Sequence, residues 1–309
     1  MAIPTDERLE ELTDRLENGI KDLFASERYA EYLTAMSKFH RYSYGNAMLI
    51  LMQCPHATRV AGYNTWRKSF GRNVKRSEKG ICILAPCPTR KYVWQEVKDP
   101  KTGATIYNKD GSPKMETRVI TITRFKIATV FDVSQTEGRE LPSIGATRLT
   151  GEVDNFQYYY DKLVELSPVA VTVDQVPRQA NGYYSHSEQR IVLRPGLSEI
   201  QTIKTLVHEI SHALLHDPNG VPPEERKDRN EKEVEAESIA YVVCQHFGID
   251  TSEYSFGYVA GWSNGKELSE LKDSLDLIHR TAGEIINALD DPEKGRQQEL
   301  PIKSQQPTR

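Results

Sequence analysis

Residues 198–216 read Ser-Glu-Ile-Gln-Thr-Ile-Lys-Thr-Leu-Val-His-Glu-Ile-Ser-His-Ala-Leu-Leu-His, and this stretch decides how the second half of the chain is organised. Ser198, followed three positions on by Gln201, is a capping-box pair that opens a helix. Ile203, Val207, Ile210 and Leu214 recur at steps of three and four and give the helix a buried side. Asp217-Pro218-Asn219-Gly220 stops it. His208, Glu209 and His212 then spell H-E-x-x-H on a helix, a pattern with on the order of 0.02 chance occurrences at this composition. Histidines four apart lie one turn apart on one face, about 6 Å between Cβ atoms, so their imidazoles can converge on one ion. Glu209 projects from the same end of the pair, where it can take a proton from a water at an open coordination position.

A catalytic zinc needs three protein ligands and an open position. Leu215 and Pro218 stand where a metzincin would carry glycine and histidine, which rejects that pattern. His216 lies about 12 Å along the helix axis from His208, too far to share an ion. Its place in the last turn suits a surface histidine stabilised by the helix dipole. The third ligand is therefore expected on the next helix, from about Glu231 to Phe247, which offers Glu231, Glu233, Glu235 and Glu237. Glu233 and Glu237 share a face, whereas Glu235 is turned about 200° away. With Glu233 as ligand, Glu237 sits one turn on and can accept a hydrogen bond from a ligating histidine. With Glu235 as ligand, Ile239 occupies that place. Asn230 and Glu233 also read as a capping box with no metal role. Two histidines and one glutamate around a zinc point to peptide hydrolysis with Glu209 as general base. Tyr184, His186, Tyr254 and Tyr258 are candidate oxyanion donors that the sequence does not rank.

Working outward, Leu9, Leu12, Leu16, Ile20 and Leu23 form one stripe of an amphipathic helix from Thr5 to about Leu33. Residues 57–133 lose the helical period and show strand-like runs at Ile81–Leu84, Tyr92–Val97 and Thr117–Val133. In the last run Ile120 and Ile122 take one parity and Phe125 and Ile127 the other, which predicts a bulge or break near Arg124. Lys98 to Glu116 reads as an exposed, mobile hairpin extension. Gln135 to Asp154 reads as a linker. Phe156 to Leu166 is expected to be helical, with strands at 170–176 and 190–193 flanking a turn at 179–182. A further helix falls within Lys266–Leu289, and the last twenty residues read as a disordered tail.

The net charge of -4 conceals an asymmetry. Residues 1–150 hold 24 Lys and Arg against 17 Asp and Glu, and residues 151–309 hold 16 against 27. Opposite balances predict two domains, the first suited to a polyanion. The longest purely apolar run, Ala47–Met52, is six residues where about 20 would cross a membrane. The acidic first twenty residues are no secretory signal. The four cysteines form no C-x-x-C pair, and a cytoplasmic, reduced setting is expected.

Within the basic half, residues 59–79 carry seven Lys or Arg against one Glu. Tyr63, Trp66 and Phe70 are interleaved with Arg67, Lys68, Arg72, Lys75, Arg76 and Lys79. Cations beside aromatic faces are the ingredients of a single-strand binding groove. The same aromatics are at helical spacing, so they also read as core residues under a solvated basic face.

Residues 41–86, with Tyr44, Asn46, Gln53, Pro55, Val60-Ala61-Gly62-Tyr63, Trp66, Gly71-Arg72, Glu78-Lys79-Gly80 and Ile83-Leu84-Ala85-Pro86, resemble the N-terminal domain of ArdC-type antirestriction proteins. Ser77 departs from the glycine expected there. Residues 152–262 resemble the zincin domain that follows it, related to the ImmA/IrrE metallopeptidases, with Glu233, Ala236 and Glu237 matching an E-x-x-A-E pattern. The resemblance implies a mobile-element protein with a domain that binds single-stranded DNA, contacts there including Asn46, and a metallopeptidase-like domain. The expected fold is α+β. Residues 1–135 form a mixed DNA-binding domain, 136–153 a linker, 154–290 a zincin-like domain whose small sheet packs on the HExxH and glutamate helices, and 291–309 a tail. One Zn2+ per chain is expected at His208, His212 and Glu233, with Glu237 behind them, Glu209 catalytic, single-stranded DNA as partner, a protein or peptide substrate, and no membrane. The alternatives are a DNA-coating protein with structural zinc and an ImmA-like peptidase that cleaves a repressor.

Overall fold

The computed structural model describes residues 5–24, 28–141, 156–177, 180–252, 254, 256 and 259–290. Helix α1 covers Thr5–Phe24 and buries Leu12, Leu16, Ile20 and Leu23, the stripe read from the sequence. The helix expected to reach Leu33 is in fact two, because α2 (Tyr29–Lys38) starts anew. Helix α3 (Tyr44–Gln53) is capped by the Ser43 side chain and followed by strand β1 (Val60–Gly62). Helix α4 (Tyr63–Ser69) lies within the stretch read as losing the helical period, and it follows the helical spacing of Tyr63, Trp66 and Phe70; Trp66 is a core residue, its indole N–H donating to the Phe131 carbonyl at 2.8 Å.

Strand β2 (Arg72–Val74) precedes a long antiparallel ribbon of β3 (Ile81–Glu96) and β4 (Met115–Asp132). The two runs read separately at 81–84 and 92–97 are one strand. The bulge expected near Arg124 is absent, and the register is unbroken from Ile81↔Val130 to Glu96↔Met115. The parity switch is tolerated because neither Ile122 nor Phe125 is buried, so no core face dictates which side the apolar residues take. Strand β5 (Thr136–Gly138) pairs with β2, so the start of the expected linker is ordered. The rest of that linker from residue 142 lies outside the described residues, as does the expected tail.

Helix α5 (Phe156–Leu166) leads to β6 (Ala170–Val173), β7 (Gly182–Ser185) and β8 (Arg190–Leu193). Their sheet has the order β6-β8-β7, parallel between β6 and β8 and antiparallel between β7 and β8. Of the turn expected at 179–182, residue 179 lies outside the described residues and Gly182 already belongs to β7, which occupies the sheet edge. Helices α6 (Glu199–Leu215), α7 (Arg229–His246), α8 (Val259–Ser263) and α9 (Leu268–Leu289) complete a mixed α+β structure. On α6, Leu206 and Ala213 join Ile203, Val207 and Ile210 in the interior. Leu214, expected there, shares that face but is 42% exposed in the last turn of the helix, which ends at Leu215.

Helices from both ends of the chain share one buried cluster. The Tyr29 and Ser238 hydroxyls meet at 2.9 Å, the Thr34 and Tyr241 hydroxyls at 3.0 Å, and His246 Nδ1 reaches the Ser37 carbonyl at 3.0 Å. These contacts seat α2 on α7. All four cysteines are free thiols. Among the described residues no helix is long and apolar enough to cross a membrane.

Candidate functional site

Ser198 caps α6 as expected, its hydroxyl accepting from the Gln201 N–H at 3.2 Å. Helix α7 is capped by Asp228, which accepts from the Glu231 N–H at 2.8 Å, and not by Asn230. Starting the helix there leaves the Glu233 side chain free to face α6. His208 Nε2 and His212 Nε2 lie 3.0 Å apart. Glu233 Oε2 stands 3.5 Å from the first and 3.8 Å from the second. Ligand atoms about 2.0–2.1 Å from a tetrahedral zinc are about 3.3 Å from one another, so this triangle has the size of one face of such a site. The three side chains fit a divalent cation, and among the described residues they are the one His/Cys/Asp/Glu group of that kind.

Behind the triangle, Glu237 Oε2 approaches His208 Nδ1 at 3.4 Å, leaving Nε2 to face inward. Burial pushes the His208 imidazole down, but the Glu233 and Glu237 carboxylates outweigh it and lift it to about 10. Glu209 is buried beside it. Burial raises its carboxyl, while the His208 and His212 imidazoles and the Tyr184 backbone N–H pull the other way, leaving it above the ordinary carboxylate range. A carboxylate raised in this way is a better proton acceptor near neutral pH.

His216 and Glu235 depart from expectation. His216 is buried, not a surface histidine, and its pKa is lowered, chiefly by burial. Its Nδ1 lies 2.8 Å from His212 Nδ1 and its Nε2 lies 3.0 Å from Glu235 Oε2. Glu235, the alternative ligand, is fully buried and faces away from the triangle. Its other oxygen accepts from Lys227 Nζ and, at 3.1 Å, from the Ser274 hydroxyl. Burial raises Glu235, but His216 and Lys227 outweigh it and hold it ionised. The detectable signal was the spacing of His208, His212 and His216 by four, which puts a third imidazole in line on the same face.

A cleft of about 320 Å³ opens onto His208, Glu209 and Glu237 and is lined as well by Asn181, Gly182, Lys204 and Tyr254. Of the oxyanion candidates, Tyr254 lines the cleft, with Lys204 Nζ 5.3 Å from its ring centre. The Tyr184 phenol is engaged by Gln189 at 3.0 Å, His186 is exposed, and Tyr258 lies outside the described residues.

The expected DNA contacts divide into two groups. Asn46 is buried, its amide pinned to the Leu84 backbone by bonds of 2.9 and 2.8 Å. Trp66 is completely buried. Neither can meet a base, since each is spent on holding α3 or α4 to the ribbon. Arg72 is committed to Thr136 and the Arg139 carbonyl, latching β2 to β5. Tyr63, Arg67, Lys68, Lys75, Arg76 and Lys79 are exposed, with Lys75 reaching the Ser134 carbonyl at 2.8 Å. Ser77 sits at φ 67°, in the left-handed region, which gives the glycine expected there a physical reason.

Residues 5–131 match the family described as the N-terminal domain of anti-restriction factor ArdC. An uncharacterized protein of Bacillus anthracis, pXO2-81, is 30% identical over 316 residues, spanning 92% of this chain. The chain covers 51%, about half, of that relative's length. Two crystal structures of the antirestriction ArdC protein from the R388 plasmid align with 80% of this chain and 82% of their own. The metal-free one is 23% identical with a TM-score of 0.44, and the Mn(II)-bound one 21% identical with a TM-score of 0.42.

Proposed function

We propose, from the match of residues 5–131 to the family described as the N-terminal domain of anti-restriction factor ArdC, that this protein is of the ArdC type, binds single-stranded DNA and carries a zinc-dependent peptidase site, serving the protection of DNA that enters a cell on a mobile element. The division expected from the sequence, DNA binding within residues 1–135 and a zincin-like unit within 154–290, and a cytoplasmic setting are parts of this reading. The single observation that carries the hydrolase half is the triangle of His208, His212 and Glu233 beside a buried Glu209.

In this reading His208, His212 and Glu233 hold the ion. When bound, zinc supplies Lewis acidity toward a carbonyl and acidifies water. Glu237 orients His208 through Nδ1. Glu209 takes the proton of the attacking water on its carboxylate and delivers it to the leaving amine. The Tyr184 backbone N–H restrains that carboxylate. Among the described residues strand β7 ends its sheet and borders the cleft, so an extended peptide can add by main-chain hydrogen bonds along the part of that edge not taken by the Tyr184 N–H bond to Glu209. Lys204 gives the cleft a fixed cation for a substrate carboxylate or developing negative charge.

Metal analysis of the purified full chain tests the first half. One zinc per chain is expected, retained by Glu209→Gln and lost in Glu233→Ala; absence of a stoichiometric transition metal overturns the hydrolase. Glu209→Gln that protects DNA as well as the parent protein would leave the metal structural. For the DNA half, four to six phosphate contacts from the exposed cations of residues 63–79 predict a log-log salt slope of about -3 to -4 on single strands. A flat response overturns phosphate binding there.

A further inference from the structure

The β3–β4 ribbon is longer than the core requires. Ile81, Ile83 and Val130 at its root are buried, and beyond Ala85 and Lys126 the paired strands run on through solvent. Directly opposed residues share a face, so the unbroken register sorts the arm's side chains into two sets. One face carries Lys126, Arg124, Lys91 and Arg118. The other carries Phe125, Arg90, Tyr92 and Trp94. On this second face Trp94 is 72% exposed, Tyr92 68% and Phe125 52%.

Folding does not account for these rings. Valine or threonine across the ribbon would hold the register as well, and an exposed apolar row on a long ribbon invites aggregation. Their spacing points to a ligand. Alternate residues of one strand are about 6.7 Å apart, so Arg90, Tyr92 and Trp94 stand in a row with gaps of that width. Stacked nucleotides advance about 3.4 Å each, so one base slots between each pair of planar groups. Only unpaired bases are free to enter, since those of a duplex are already stacked.

Charge selects the same occupant. Between residues 85 and 126 the chain holds nine Lys and Arg against four Asp and Glu, which suits a polyanion and not an apolar partner. The ribbon is two strands wide, about 4.8 Å between strand axes, so the long stems of Lys91, Arg118 and Arg124 reach its edges.

We propose that the β3–β4 arm is a second contact surface for single-stranded nucleic acid, distinct from residues 63–79. Tyr92, Trp94 and Phe125 stack unpaired bases, and Arg90, Lys91, Arg118, Arg124 and Lys126 neutralise the phosphates. This rests on the single-strand reading above and adds the element that discriminates single strands from duplex.

The test uses the full chain with labelled oligo(dT) and a duplex of equal length. Trp66 and Trp262 are buried, so oligo(dT) should quench the emission of Trp94, and Trp94→Phe should abolish the quenching while retaining most of the affinity. Tyr92→Ala and Trp94→Ala should each weaken oligo(dT) binding about tenfold, with the salt slope unchanged because no phosphate contact is lost. Arg118→Ala and Arg124→Ala should each reduce the slope by about one. No binding of oligo(dT) by the parent protein overturns the single-strand reading itself. Parent-level binding by the ring variants, with Lys68→Ala and Arg76→Ala weakened, overturns the arm alone. Equal losses on duplex, or a change of oligomeric state by light scattering with DNA affinity intact, also overturns it.

Discussion

His216 Nε2 lies 3.0 Å from Glu235 Oε2, and this contact fixes which nitrogen of His212 is free. A carboxylate only accepts, so His216 carries its proton on Nε2 and presents a bare Nδ1. That nitrogen accepts from His212 Nδ1–H at 2.8 Å, leaving the His212 Nε2 lone pair aimed at His208 and Glu233. Loss of partners that orient metal-ligating histidines costs about 10–100-fold in affinity. His216→Phe is therefore expected to weaken zinc binding by about that factor in chelator competition. Glu235→Gln, which keeps an oxygen acceptor in place, should weaken it less. Parent-level affinity in both variants would detach the pair from the metal site.

The legibility of the site follows the range of the interactions that build it. His208, Glu209 and His212 are placed by the pitch of one helix, and Glu233 with Glu237 by another, so local spacing suffices to nominate them. The burial of His216 depends on Glu235 of α7, and Glu235 in turn on Ser274 of α9 and on Lys227, partners up to 39 positions away. The four-residue spacing puts His216 in line with the ligands, but no local pattern carries its burial. For Trp66 the helical spacing of the aromatics allows a core reading and the basic neighbours a surface one, and the choice is made by its indole bond to Phe131, 65 positions on. The charge asymmetry is silent on the core, where Tyr29 of α2 meets Ser238 of α7. The absent bulge at Arg124 has a related cause, since a parity rule has force only where one face is buried.

Asp132 predicts an acid limit to stability. It accepts from the Thr58, Arg59 and Ser134 backbone N–H groups at 2.8, 3.0 and 2.9 Å, tying the end of β4 to the entry of β1. Burial raises its pKa, but these bonds outweigh burial and hold it below the ordinary 3.8. With the folded value depressed, the stabilisation is fully present above the unfolded pKa and disappears as pH falls through the folded one. Asp132→Asn should cost about 1–3 kcal/mol at neutral pH and flatten the loss of stability below about pH 4. Denaturant titrations across that range read both effects.

Ser77 predicts a stabilising substitution. At φ 67° a side chain crowds its own backbone, a cost of about 1–2 kcal/mol that glycine avoids, offset by glycine's greater entropy in the unfolded chain. Ser77→Gly should thus gain up to about 1 kcal/mol in denaturant unfolding. A loss would show that the serine side chain makes a compensating contact.

Gly182 predicts the opposite, and it couples stability to the candidate site. A Cβ there would fall 2.7 Å from Thr205 Cγ2 and 2.9 Å from the Val192 carbonyl, so the start of β7 lies against α6 too closely for any side chain. Backbone on one side prevents relief by a rotamer change alone, and forced overpacking of this kind costs about 1–3 kcal/mol. Gly182→Ala must move β7 outward, carrying the Tyr184 N–H away from Glu209, the bond that restrains the proposed base. The expected outcome is lower thermal stability with zinc retained, because His208, His212 and Glu233 sit on α6 and α7 and not on β7. If a cleavable substrate is found, turnover should fall in Gly182→Ala by more than zinc occupancy does. Loss of zinc in parallel with turnover would show instead that β7 supports the ligand triangle.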